Sequence, residues 1–76
     1  MAGKYQIHLE NLCIHYGWPQ PIFVVKRLMA MFKCTVIVAG KDFLSSEDYC
    51  QEVAKEDAAK QAYNYFNDSS KTTDFQ

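Results

Sequence analysis

The chain is short of positive charge. Its 76 residues carry 8 Lys and Arg against 9 Asp and Glu, a formal net charge of −1 with a pI near 6.0. A domain devoted to nucleic acid normally shows a basic surplus, so any phosphate contact here must come from a local patch. Glycine is scarce too. Gly3, Gly17 and Gly40 stand apart from one another, which excludes a glycine-rich phosphate loop. No apolar run is long enough to span a bilayer. Met1 to Lys4 are not followed by the apolar stretch of a secretion signal. Cys13, Cys34 and Cys50 are odd in number and form no C-x-x-C pair. Free thiols in a reducing compartment suit them better than a disulfide framework. The expected location is cytoplasmic or nuclear, with no membrane partner.

Catalytic groupings are missing as well. No serine, histidine and acid stand at a spacing that suggests nucleophilic catalysis. Glu10, Glu47, Asp48, Glu52, Glu56 and Asp57 read as solvated helix charges. His8 and His15 lie seven apart, with Cys13 between them. That is not the i, i+4 pairing of a helical zinc site, and polar or partly buried histidines are the simpler reading. Cys50 reads as a structural thiol. The expectation is a non-catalytic domain with no cofactor, no metal and no small-molecule substrate.

What is present is enough for one small core. Hydrophobic residues make up 49% of the chain and aromatic residues 14%, which suits a single domain near the lower size limit. Tyr5, Leu9, Leu12, Cys13 and Tyr16 share one face of a helix. Gly17 stops it, and Trp18-Pro19-Gln20-Pro21 forces an extended exit. Residues 22–31 read as a strand with Phe23 and Val25 on one side. Phe32, Cys34, Val36 and Val38 alternate with Lys33, Thr35, Ile37 and Ala39, the period of a second, half-buried strand. Ala39-Gly40-Lys41-Asp42 is a hairpin signal, and Phe43-Leu44 opens a short third strand. Ser45-Ser46-Glu47-Asp48 reads as a helix start, the serine capping and the acids facing the positive end of the dipole. That helix is expected to end near Phe66. Residues 1–4 are then an N-terminal extension, 5–67 the domain and 68–76 a polar flexible tail. The architecture is α+β, in two layers ordered α-β-β-β-α. A three-stranded antiparallel sheet carries both helices on one face.

Three segments go beyond element order. They are Leu12-Cys13 with Gly17-Trp18-Pro19-Gln20-Pro21, then Phe32-x-Cys34-x-Val36-x-Val38-x-Gly40, then the steps Ala54-Lys55, Ala58-Ala59 and Ala62-Tyr63. Over roughly residues 5–66 the chain resembles the double-stranded-RNA-binding domain. The alanine stripe is the most specific part of the likeness, and it is a packing signature. Members of that family hold an A-form duplex with the first helix, the loop between the first two strands, and the amino end of the second helix.

The resemblance implies a binding surface in which each region has been altered. After Leu9 the family's Asn-Glu pair is reversed to Glu10-Asn11, and Asn11 stands in the glutamate's place. Gln6, His8 and His15 lie near it. The family's Gly-Pro-x-His loop is replaced by Lys26-Arg27-Leu28-Met29-Ala30-Met31-Phe32. Its Lys-Lys-x-Ala-Lys motif reads Gln51-Glu52-Val53-Ala54-Lys55 here, so one lysine of three remains, with Glu52 at i, i+3 from it. The expected function is weak, shape-directed binding of double-stranded or structured RNA by Gln6, Asn11, Lys26, Arg27, Lys33, Lys55 and Lys60. The alternative is a domain that has lost RNA binding and serves protein association or pairing of two copies. Its candidate surface is the open sheet face, with Ile22, Val24, Leu28 and Ile37 on the alternation opposite the core and Met29 and Met31 at the adaptable tip.

Overall fold

The computed structural model describes residues 3–72, with side-chain surroundings as far as Asn67. Its elements are α1 (Lys4–Tyr16), β1 (Ile22–Leu28), β2 (Met31–Val38), β3 (Lys41–Leu44) and α2 (Gln51–Thr72). The sheet is antiparallel in the order β1-β2-β3, as the alternation predicted.

α1 ends where the sequence says it should. Gly17 takes φ 72°, its amide donates to the Ile14 carbonyl at 3.2 Å, and the Trp18 amide donates to Cys13 at 2.9 Å. These two bonds satisfy the last carbonyls in a left-handed C-cap that suits glycine. The start of α1 differs. Its N-cap is Gly3, which has no side chain to offer. A residue of α2 supplies the missing acceptor: the Glu56 carboxylate accepts from the Tyr5 amide at 2.6 Å and from the Gln6 amide at 3.2 Å.

Residues 26–32, where the resemblance places a loop and the alternation a strand as far as Met31, form no loop. Both strands run on through them, pairing Lys26 with Lys33, Arg27 with Phe32 and Leu28 with Met31. Only Met29 and Ala30 turn, with Met29 at φ 58°. Arg27 Nε donates to the Met29 carbonyl at 3.2 Å and holds the tip. The second hairpin follows expectation. Ala39 at φ 51° and Gly40 at φ 81° give the doubly left-handed turn that matches strand twist.

Residues 45–48 correct the sequence reading. They do not start a helix; they continue the pairing along β2. The Ser45 amide donates to the Cys34 carbonyl at 2.8 Å, and the Cys34 amide donates to Ser45 Oγ at 2.8 Å. Asp48 and Phe32 exchange both backbone bonds, at 2.6 and 2.9 Å. The cause is a mismatch in length. β2 has eight residues and β3 four, so backbone groups at the start of β2 need partners from beyond β3. The Ser45 hydroxyl also donates to the Ser46 carbonyl at 2.8 Å, so it serves the sheet and its exit and no helix start. α2 begins at Gln51 instead. It passes Phe66 and ends at Thr72, since residues 67–72 contain no glycine or proline to break it. Of the expected termini, Gly3 and Lys4 form the start of α1. Residues 1–2 and 73–76 lie outside the described residues.

The core lies between the sheet and both helices. Leu9 and Cys13 of α1, Cys34, Val36 and Val38 of β2, and Ala54, Ala58, Ala59 and Ala62 of α2 are fully buried or nearly so. The four alanines let the α2 backbone lie close on β2. Rings close the end of the domain near the C-terminus of α1. Tyr16 stacks on Trp18 at 4.8 Å, Trp18 meets Phe66 at 4.9 Å, and Phe66 meets Phe43 at 5.6 Å.

Candidate nucleic-acid interface

The amino end of α2 is the junction of the domain. The first helical bond joins the Ala54 amide to the Cys50 carbonyl at 3.1 Å. The amides of Gln51, Glu52 and Val53 precede it and point off the helix end, where the dipole is positive. Asp48 Oδ1 accepts from the Cys50 amide at 3.3 Å and steadies the approach to the helix. Tyr49 stands 76% exposed beside it.

Two neighbours flank this end. On one side α1 is fastened by Glu56. On the other, the β1–β2 hairpin is fastened by the Phe32–Asp48 pair, and Asp57 Oδ2, which accepts from the Ser46 amide at 2.6 Å, pins the segment between β3 and α2. Glu56 and Asp57 are thus half-buried acceptors that assemble the junction, not the solvated charges the sequence suggested. No residue pattern announces them. The one available signal is a negative one, the lack of Ser, Thr, Asp or Asn ahead of α1. A groove of about 420 Å³ runs between the start of α1 and α2, lined in part by Tyr5, Glu52, Val53, Glu56 and Lys60.

The expected RNA-contacting residues separate into groups. Lys55 sits on the first turns of α2 with its side chain 28% exposed, 3.5 Å from a Glu52 oxygen. Lys60 is exposed further along α2, its ammonium 5.9 Å from the Tyr5 ring centre. Lys4 approaches the same ring at 5.3 Å. Asn11 is exposed on α1. Gln6 is 8% exposed and lines the groove between α1 and α2. Lys26 and Lys33 face each other across β1 and β2 on the open side of the sheet, away from both helices. Arg27 lies on the helix-bearing side at the hairpin tip. His8 packs against Tyr63 at 5.5 Å and Tyr5 at 6.2 Å, and His15 meets Tyr16 edge-on at 5.0 Å.

The open-face candidates lie where alternation placed them. Ile22, Val24 and Leu28 are exposed, Ile37 and Met31 are half-buried, and Met29 at the tip is 94% exposed. One member was overlooked. Leu44 pairs with Thr35 and is 55% exposed on the same face. The alternation Phe43 inward, Leu44 outward held that information.

Two thiols are shifted. Burial pushes Cys13 above its ordinary 9.0, and the Glu10 carboxylate adds to the rise. Burial also raises Cys34, opposed by the Lys55 ammonium and a backbone hydrogen bond at Val24. Cys50 is exposed. Among the described residues, no group of three or more His, Cys, Asp or Glu comes together to hold a metal ion. No described helix is long and apolar enough to cross a membrane.

No protein-family model matches the chain, and no curated protein matches it. Solved structures do. One is a structure of Arabidopsis HYL1, described with its implications for miRNA processing. It is 21% identical over 86% of this chain and 99% of that one, with a TM-score of 0.74. A second is the dsRBD of human tRNA-dihydrouridine(20) synthase, 21% identical over 83% of this chain and 69% of that one, with a TM-score of 0.77. A third holds both dsRBDs of DRB4 with their linker. It is 23% identical over 86% of this chain and 45% of that one, with a TM-score of 0.73. At such identities the likeness is one of fold, and the chain has the fold of a double-stranded-RNA-binding domain.

Proposed function

We propose that this domain is a non-catalytic module that binds duplex or structured RNA weakly, by shape and backbone contact. The observation that carries this reading is the junction at the amino end of α2. Three outward amides and Lys55 stand there between α1 and a hairpin, in a fold whose solved counterparts include named dsRBDs. Amides at a positive helix end are a ready seat for phosphate. Asn11 on the exposed side of α1 offers a hydrogen bond to a 2′-hydroxyl.

The same geometry supports weak rather than tight binding. The two-residue turn at Met29 and Ala30 offers no polar side chain to a second minor groove. Glu52 lies 3.5 Å from Lys55 and competes with phosphate for its charge. With about two phosphates neutralised, the logarithm of affinity should fall with the logarithm of salt at a slope near −2.

Fluorescence anisotropy with an RNA duplex of about 20 base pairs, longer than the ~16 such a domain spans, tests the reading at two salt concentrations. Micromolar binding, a shallow salt slope and a loss of about tenfold in Lys55→Ala are expected, the loss being close to 1.4 kcal/mol. Gln51→Lys with Glu52→Lys should raise affinity at least tenfold. Unchanged affinity in that double variant would remove α2 from the phosphates. No binding at low salt would remove RNA altogether.

A further inference from the structure

We propose that the open face of the sheet receives α1 of a second copy of this chain, so that copies associate head to tail. The register arranges this face in rows across the strands. Ile22 and Ile37 form one row with Asp42, and Val24, Thr35 and Leu44 form the next. Lys26 and Lys33 make the third row, and Leu28 and Met31 the fourth. Along the strands, an acid in the first row is followed by aliphatics, a pair of bases and aliphatics again. Like charges directly opposite each other in a sheet destabilise it. Among the described residues the only ion pair is Lys55 with Glu52, on the helix-bearing side. Asp42 shares the open face but lies two rows from the lysines, about 14 Å at roughly 3.4 Å per residue.

The outer side of α1 carries the opposite order. Lys4, Ile7, Glu10 and Ile14 are all exposed, Ile14 at 74%. With about 3.6 residues per turn, Ile7, Glu10 and Ile14 fall within about 60° of one another around the helix. Leu9 and Cys13, which enter the core, lie on its other side. Base, aliphatic, acid, aliphatic on α1 thus meets acid, aliphatic, base, aliphatic on the sheet. Spacing agrees as well as sign. With Glu10 over the lysine row, Ile7 lies about 4.5 Å and Ile14 about 6 Å from it along the axis, against ~6.8 Å between rows. Lys4 lies about 9 Å from Glu10, and its flexible four-carbon stem extends it toward Asp42.

One helix is enough to cover the face, since a helix is about 10 Å wide and strands lie about 4.8 Å apart. α2 has no such stripe to offer. Val53 is exposed on it, but Asp57, Lys60 and Asn64 follow on the same side in place of a second aliphatic. The stripe on α1 points away from the core, and the open face of the sheet points away from both helices. The two surfaces therefore look in opposite directions on one copy. A copy that gives its α1 keeps its own sheet free for the next. Such a contact is heterologous, and it builds rings or chains instead of a closed pair.

Sedimentation velocity of the chain, free of nucleic acid and over about a hundredfold range of concentration, tests this apart from any RNA contact. The mean mass should climb past two copies. Ile7→Lys with Ile14→Lys disables the helix side alone, and Val24→Lys with Leu44→Lys the sheet side alone. Each double variant by itself should stay a monomer. Mixed, the two should form a one-to-one pair and grow no further. Glu10→Lys should weaken association at least tenfold, and mixing it with the Lys26→Glu, Lys33→Glu variant should restore it. Amide spectra that match the parent away from the altered residues establish that each variant is folded. Four results would overturn the proposal: a parent mass that ignores concentration, undiminished association of either double variant alone, no pair from the mixed folded variants, or a mass that stops at two copies whatever is done to α1. The last would set sheet against sheet.

Discussion

Glu56 and Gly3 act as a pair although they sit on different helices. The carboxylate approaches so closely that a methyl group on Gly3 would overlap it. Removing the carboxylate leaves two amides at the positive end of α1 without an acceptor, so Glu56→Ala should cost about 1–2 kcal/mol. Gly3→Ala should cost a similar amount by displacing the same group. The decisive measurement is a double-mutant cycle in urea. The second substitution should add little once the first is made, and full additivity would show that the two do not share an interaction. Ser45 is a second such residue. Its hydroxyl oxygen is the acceptor for the buried Cys34 amide, and Ser45→Ala should cost about 1–3 kcal/mol by orphaning that donor. Urea midpoints should report the loss, and hydrogen exchange should quicken first at Cys34. A midpoint unchanged from the parent would mean that water replaces the hydroxyl.

Among the elements, the two hairpins show what a sequence announces and what it conceals. Ala39-Gly40 needs positive φ at both residues, and alanine resists it by about 1–2 kcal/mol. Ala39→Asn completes the preferred Asn-Gly pair and should stabilise the domain by about 0.5–1 kcal/mol. Thermal unfolding would show this as a rise of a few degrees, and a fall would mean the turn is not of that type. Gly40 made this hairpin legible. Met29-Ala30 carries no glycine, proline or asparagine, so the sequence separated the two strands near residue 31 but did not mark the two-residue turn between them. Residues 45–48 were misread for a related reason. Two serines followed by two acids fit a capped helix locally, but the unpaired start of β2 claimed them. The alanine stripe of α2 was legible because its spacing is set by packing alone. The contacts of Glu56 were not, since they depend on where α1 comes to rest. Lys26 and Lys33 sit at opposing positions across a turn whose exact place the sequence did not mark, so their pairing was equally hidden.

Taken as a whole, the molecule buries two of its three thiols, and this links its stability to pH. Cys13 and Cys34 keep their protons in the folded state to higher pH than in the unfolded chain. Their contribution is therefore complete below their ordinary range near 9.0 and is lost as pH rises toward the folded values. Stability should decline above about pH 9, by up to about 1.4 kcal/mol per pH unit for each thiol. Urea midpoints between pH 8 and 10 should show the decline, and Cys13→Ala should flatten it. A decline of the same slope in both proteins would place its origin in other groups. At neutral pH a maleimide should label Cys50 at once and the buried pair only as the domain opens.

The long reach of Glu56 also bears on the order in which a newly made chain takes shape. The stretch that becomes α1 leaves the ribosome early, but the group that completes its first turn is encoded some fifty positions later. Synthesis and assembly thus run in opposite directions: the opening segment waits, unfinished, for the closing one. A nascent chain arrested before α2 emerges would hold a sheet bare on both faces, the form most exposed to capture by chaperones.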